Sequence, residues 1–329
     1  MPKISLILPL YNGGKYLRPC LDSVAAQSFK DFECLCVNDG STDDTEKIIK
    51  EYIEKDKRFL LFNKPNGGVS EARNFGIEAA STPYLAFIDQ DDMFHPQALE
   101  VLYFLVAAYK TDASAFTFNR IPPGFAPPEK APIYDPSKLK VKIIRDPLED
   151  FFKTRQGGRV EIWTRLYKKS ALAGVRFPKG VQPAEDTVFT LKALEVLKSI
   201  AFVKEQFIYY RTNNEASVMA KGVTEKYLKS SFTAAVELWN RFLHDKDKKT
   251  RLYRRIDAYV STLVFKTIIS RILKREKSKQ KEMLALAHAL ALELHRKNVF
   301  RPAALSLRRR LVSILFLGKH FKFARFAQM

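Results

Sequence analysis

Three aspartates, Asp89, Asp91 and Asp92, stand within four residues of one another. Carboxylates that close repel unless a cation offsets them. Oxygen donors in this number suit Mg²⁺ or Mn²⁺, which take one or two carboxylates and fill the rest of their shell with substrate phosphates and water. The plain alternative is a solvated acidic turn leading into a helix at Pro96. Asp39-Gly40-Ser41 offers a carboxylate to a nucleobase or ribose, and otherwise reads as a turn and N-cap. Gly67-Gly68-Val69-Ser70-Glu71-Ala72-Arg73-Asn74 sets a flexible turn at a helix start with a basic residue close behind. Such an arrangement suits a diphosphate. A second acidic pair, Glu185-Asp186, opens another helical stretch, where acidic residues are favoured against the helix dipole. The fingerprints GxGxxG, GxxxxGK[ST], HExxH and GxSxG are absent.

These groups act together only if the fold gathers them. Apolar runs at Lys3–Leu10, Phe32–Asn38, Phe59–Phe62, Tyr84–Ile88 and Ala113–Phe118 read as strands. Helical spacing falls between them at Tyr16–Ala26, Asp43–Lys55, Ser70–Ala80 and Pro96–Tyr109. That alternation predicts an α/β fold, a mostly parallel sheet covered by helices on both faces. Ligands of such sheets bind at the carboxyl ends of the strands. Tyr11-Asn12, Asp39 and the Asp89–Asp92 cluster all follow a strand, so three polar clusters converge on one edge. Ile121–Pro136 holds six prolines and reads as a connector. Beyond it come a mixed stretch containing Gly157-Gly158, a helix over Asp186–Leu197, and short strands at Ile200–Val203 and Phe207–Tyr210. From about Thr224 the pattern is helical, with breaks near Asp245–Lys249 and at Pro302.

At 46% hydrophobic and 28% charged residues, the 329-residue chain has a globular composition. Its charge of +20 is uneven: residues 221–329 carry 26 basic and 8 acidic residues, against 30 and 28 in residues 1–220. The first apolar segment, Ile4–Leu10, is shorter than a signal-peptide core with its flanks, so no leader is expected. No apolar run reaches the roughly 18 residues of a spanning helix. Three cysteines without CxxC or histidine clusters argue against a disulfide frame or zinc site and fit a reducing cytoplasm.

Ser5-Leu6-Ile7-Leu8-Pro9-Leu10-Tyr11-Asn12 resembles the opening of family 2 glycosyltransferases, which have the GT-A fold. Asn38-Asp39-Gly40-Ser41-Thr42-Asp43-Asp44-Thr45 is similar to their second hallmark. Asn66-Gly67-Gly68 with Ala72-Arg73-Asn74-Phe75-Gly76 is similar to their third. Phe87-Ile88-Asp89-Gln90-Asp91-Asp92 resembles their metal-binding DxD segment, and Glu185-Asp186 their later acidic pair. Tyr209-Tyr210-Arg211 with Ser217 resembles the stretch closing the catalytic domain. The resemblance is most specific over residues 1–110 and ends near residue 220.

It implies a catalytic domain over residues 1–220 and a basic helical region over 221–329. Within the first, about 1–120 would bind the nucleotide-sugar and about 121–220 the acceptor. Pro9, Tyr11 and Asn12 would line the uracil and ribose site, and Asp39 would hold the base. Arg73 would lie by the diphosphate. Asp91 would touch ribose or sugar, and Asp92 would ligate Mn²⁺ or Mg²⁺ with Asp91 beside it. Asp186 would be the general base, with Glu185 on the acceptor side. Trp163 and Tyr167 are candidate acceptor platforms, each also readable as a core aromatic. The implied activity is an inverting transfer of a sugar from a nucleotide-sugar, a UDP-sugar, to a glycan or lipid-linked acceptor in cell-surface polysaccharide synthesis. A GT-A nucleotidyltransferase would instead show a Gly-rich basic loop where Pro9-Leu10-Tyr11-Asn12 stands. An inactive binding module would have no use for Asp91, Asp92 and Asp186.

The basic tail admits nucleic acid, an anionic membrane surface or a plain charged bundle. No nucleic-acid motif is present. Arg308-Arg309-Arg310 before Leu311–Leu317, with Lys319, Lys322 and Arg325 among Phe321, Phe323 and Phe326, suits membrane contact through residues 300–329. A cytoplasmic protein, peripheral on the inner face of the cell membrane, is the expectation.

Overall fold

The first strand, β1 (Ile4–Leu10, ISLILPL), is buried at all seven positions. Such unbroken burial belongs to a strand covered on both faces. A computed structural model of the chain describes residues 1–122, 125, 131–154, 160–212, 223–244, 246–273, 281–320 and 324. The chain divides into two units, Met1–Lys179 with Phe189–Asn214, and Gly180–Val188 with Glu215–Met329.

In the first unit, β1 is followed by α1 (Gly14–Ala25), β2 (Phe32–Asn38), α2 (Thr45–Lys55), β3 (Phe59–Asn63), α3 (Val69–Ala79) and β4 (Tyr84–Phe87). Then come β5 (Met93–Phe94), α4 (Ala98–Ala108), β6 (Ala113–Ile121), β7 (Lys142–Arg145), α5 (Pro147–Thr154), β8 (Arg165–Lys168), α6 (Glu185–Val196), whose first four residues group with the second unit, and β9 (Ser199–Arg211). The strands form one sheet in the order β3-β2-β1-β4-β8-β6-β9-β5, with β7 against β9. β1 to β4, β6 and β9 run one way, and β5, β7 and β8 run against them. The sheet is therefore mixed and mostly parallel, and it is flanked by helices. α1 turns Leu17, Cys20, Leu21 and Val24 inward, the expected spacing of one helical face. α3 packs on β1 and β2, and α4 on β6, β8 and β9.

Three differences from the sequence reading have physical causes. The two short strands expected over 200–210 are one strand, β9, which stays paired with β6 through register shifts around Thr117. Its polar Lys204-Glu205-Gln206 stretch imitates a break. β5 and β8 escape sequence reading because two and four residues are too short to show a period. Residues 180–188, expected with the catalytic domain, group instead with the helical unit. There the Gln182 amide donates to Ser230 Oγ at 3.1 Å, and that hydroxyl bonds the Gly180 carbonyl at 3.2 Å. Gly157-Gly158, Ser217 and the aromatic stretch at Phe321, Phe323 and Phe326 lie outside the described residues.

The second unit is helical, as its periodicity predicts. Thr224 caps α7 (Glu225–Phe242) by accepting the Tyr227 amide, and Thr250 caps α8 (Arg251–Val264) by accepting the Tyr253 amide, both at 3.1 Å. A π-helical stretch, Phe265–Ser270, carries α8 on into Arg271–Leu273. α9 (Lys281–Arg296) and α10 (Leu307–Leu317) complete the described helices. Among the described residues no helix is long and apolar enough to cross a membrane.

Candidate active site

The loops after β1, β2 and β4 meet through their own polar groups. Gln90, between Asp89 and Asp91, accepts the Tyr11 amide at 2.9 Å and donates to the Tyr11 carbonyl at 3.0 Å. The Asn12 amide donates to Ser41 Oγ at 3.1 Å, and Asn12 Oδ1 accepts the Thr42 amide at 2.8 Å. Asn12 holds a left-handed φ of 46°, a conformation Asn tolerates better than most residues. The Tyr11 ring stands 49% exposed beside this junction, and Pro9 is buried in β1. The structure thus gathers Pro9, Tyr11, Asn12, Asp39 and Asp89–Asp92 at the carboxyl edge of the parallel strands.

Asp39 sits just past the end of β2 and is buried. Its carboxylate accepts the Gly67 amide at 2.9 Å, the Gly68 amide at 2.7 Å and Lys64 Nζ at 2.5 Å. Gly68 has a φ of 90°, open to glycine at no steric cost, and this turn presents the two amides before α3 begins. Lys64 is a site residue that sequence reading missed. No spacing rule marks a lysine directly after a strand.

Arg73, on α3, is buried. It donates to Asp89 Oδ1 at 2.7 Å and lies over the Phe177 ring with its guanidinium carbon 5.2 Å from the centroid. Its charge therefore offsets Asp89 within the acidic segment.

Asp92 is the most enclosed of the three aspartates, 1% exposed. One oxygen accepts the Arg211 amide at 2.9 Å, and the other, Oδ2, is buried with no hydrogen-bond partner among the described residues. Arg211 Nε also donates to the Asp91 carbonyl at 3.2 Å. The pairing of Met93 with Tyr209 and of Phe94 with Ile208 brings Arg211 to this place. Burial, then repulsion from Asp91 and Asp89, holds the Asp92 carboxyl well above the usual carboxylate range. The negative potential reaches its neighbours: burial first, then these aspartates, raises the Cys20 thiol and the Tyr210 phenol.

Among the described residues no three His, Cys, Asp or Glu side chains form a ready metal cage. The donor set nonetheless fits a hard divalent ion that takes only one or two protein carboxylates and the rest from a diphosphate. An unpartnered buried carboxylate oxygen is the group such an ion would satisfy.

Of the two readings open to Trp163 and Tyr167, burial favours the core one. Trp163 is 3% exposed, stacked on Tyr210 at 5.3 Å and edge-on to Phe118 at 4.9 Å. Tyr167 is wholly buried in β8 against Phe87 and Phe189. Both are core rings and offer no face to a sugar. Glu185 and Asp186 form the first turn of α6, Glu185 buried and Asp186 half-buried, within the second unit.

Residues 5–174 match the family described as Glycosyl transferase family 2. EpsH of Bacillus subtilis (strain 168) is 29% identical over 79% of this chain and 74% of its own length. The crystal structure of S. aureus TarS 1-349 in complex with UDP-GlcNAc superposes with a TM-score of 0.72, covering 99% of this chain and 90% of that one at 21% identity. The mannosyltransferase PcManGT from Pyrobaculum calidifontis, in complex with GDP-Man and Mn²⁺, covers 99% of this chain and 84% of its own at a TM-score of 0.54 and 15% identity. Both likenesses speak for a shared fold.

Proposed function

The chain belongs to glycosyl transferase family 2, and from that membership we propose that it moves a sugar from a UDP-sugar to a hydroxyl of a glycan or lipid-linked acceptor, inverting the anomeric carbon, in synthesis of a cell-surface polysaccharide. The observation that carries the reading is Asp92: a buried carboxylate with one oxygen unpartnered among the described residues, on the same sheet edge as the Asp39 cradle. Structural neighbours are complexes with UDP-GlcNAc in one case and with GDP-Man and Mn²⁺ in the other, which supports a nucleotide-sugar and a divalent metal. The choice of UDP follows the motif resemblance. Three free, buried cysteines are in keeping with a reducing cytoplasm.

Each group has a task in this reading. Pro9 and Tyr11 flank the base, Asn12 keeps their loop against Ser41 and Thr42, and Asp39 holds the base. Asp39 also fixes the Gly67-Gly68 turn, whose helix brings Arg73 towards the diphosphate. Asp91 and Asp92 would hold Mn²⁺ or Mg²⁺, whose charge stabilises the leaving diphosphate when bound. Arg211 keeps Asp92 in place through its amide. Asp186 takes the proton of the acceptor hydroxyl as that oxygen bonds to the anomeric carbon. The bond from that carbon to the diphosphate breaks, and the nucleoside diphosphate leaves with the electron pair. Glu185 flanks the base on the acceptor side.

A donor panel tests the assignment. Nucleoside diphosphate release is followed for UDP- and GDP-sugars with an acceptor, with and without Mn²⁺. The expected result is metal-dependent release from one UDP-sugar, abolished by D92N. Absence of nucleotide-sugar binding across the panel would overturn it.

A further inference from the structure

Helix α10, LRRRLVSILFL, turns apolar side chains both ways. Val312, Ser313 and Phe316 are buried against the rest of its unit. Leu307, Leu311 and Ile314 point the other way and are 81%, 51% and 54% exposed. Spacings of four and three residues place those three on a single stripe. At about 100° per residue, Arg308 falls on one flank of that stripe and Arg310 on the other. Arg309 lies towards the packed side, its guanidinium carbon 5.9 Å from the centre of the Phe265 ring. The helix contains no acidic residue, and the exposed Lys319 and His320 follow it. A water-facing leucine stripe edged by arginines has no role in a plain charged bundle, whose outer face is polar.

The geometry points to the face of an anionic lipid bilayer as the occupant: we propose that Leu307, Leu311 and Ile314 of α10 insert into its interface while Arg308 and Arg310 meet lipid phosphates, the helix lying in the membrane plane. Four physical arguments choose this partner. Eleven residues span only about 16 Å, half of a hydrocarbon core, so the helix lies on a membrane and does not cross it. Nucleic acid is anionic but offers no apolar layer for three aliphatic side chains. A second copy of this chain offers an apolar stripe, but a two-fold contact there would set arginine against arginine. The net +18 of residues 221–329 complements an anionic surface over a wider area. The inference stands independently of the sugar-transfer reading.

Co-sedimentation of the full chain with phosphatidylcholine vesicles, with and without phosphatidylglycerol, tests it. The wild type is expected to pellet with the anionic vesicles, less so at high salt, and to stay in solution with the neutral ones. L307S/L311S/I314S replaces only exposed side chains and should lower partitioning roughly tenfold or more, with an unchanged circular dichroism melt. A second variant, R308E/K319E, should remove the preference for phosphatidylglycerol while leaving the stripe intact. Wild type that ignores anionic vesicles at low salt overturns the proposal, and so does triple-serine protein that binds as well as wild type. Concentration-dependent dimerisation lost in the triple variant would make a second copy the occupant and overturn it equally.

Discussion

Asp92 couples the site to pH and metal. Burial, then repulsion from Asp91 and Asp89, raises its carboxyl, and the Arg211 amide and charge only partly oppose this. The unfolded chain has the ordinary value near ~3.9, so the folded state holds the proton more tightly. That preference stabilises the fold fully below the unfolded value and is lost as pH rises through the raised one. A divalent ion at Oδ2 needs the ionised form. Mn²⁺ should therefore raise the melting temperature more at mildly alkaline than at mildly acidic pH, and D92N should remove that pH dependence; differential scanning fluorimetry reads both. For the base, Asp186→Asn should leave UDP affinity unchanged in calorimetry while transfer falls by about 10²–10⁴-fold. Near-normal turnover would remove Asp186 from that role. Asp89, Asp91, Asp92 and Asp39 are legible from sequence because polar residues at strand ends contrast with the apolar runs before them. Arg211 is marked only by the resemblance of Tyr209-Tyr210-Arg211, and its tie to Asp92 is not legible, since the two lie 119 residues apart and only the β5–β9 pairing joins them. Nor does an aromatic's type reveal its exposure, and Trp163 turned out to be core.

Elements carry these residues only as precisely as they pack. A Cβ added at Gly76 on α3 would lie 2.5 Å from Ile7 Cγ2 and 3.1 Å from Ile7 Cγ1, both in the middle of β1. α3 can thus approach the sheet closely only through glycine there. It carries Arg73 one turn earlier, and its neighbour Asn74 is clamped to the Phe177 backbone at 2.9 and 3.0 Å. Gly76→Ala forces either Ile7 or the helix to move. The expected cost is about 1–3 kcal/mol of stability, measured by denaturant unfolding, and the double variant G76A/I7A, which removes both γ carbons, should cost less than the two single variants summed. The parallel strands are legible because they are long, apolar and bracketed by turns. β7 and β8 have only four residues, and their place in the sheet comes from tertiary pairing with β9, β4 and β6.

At the scale of the whole molecule, the chain separates its charges. Residues 1–220 are nearly balanced at +2, with acidic residues gathered where a diphosphate and metal would sit, while residues 221–329 hold +18. The helical part has few counter-charges of its own. Described ion pairs there include Lys229 with Glu225 and Lys297 with Glu293, both exposed, and Arg301 with Asp257. Exposed pairs of the first kind contribute little, about 0–1 kcal/mol each. Like-charge repulsion therefore weighs on the compact state, and it acts over a Debye length of about 30 Å at 0.01 M salt against about 8 Å at 0.15 M. Moving between those conditions with NaCl should raise the melting temperature of the helical unit, followed by circular dichroism at 222 nm, while the near-neutral sheet supplies a signal that moves less. Phosphatidylglycerol vesicles at low salt should produce the same rise by lending the missing anions, and the R308E/K319E variant should show less of both effects. A melting temperature indifferent to salt would mean that the basic residues are already compensated within the fold, and the excess charge would then cost the protein nothing to keep.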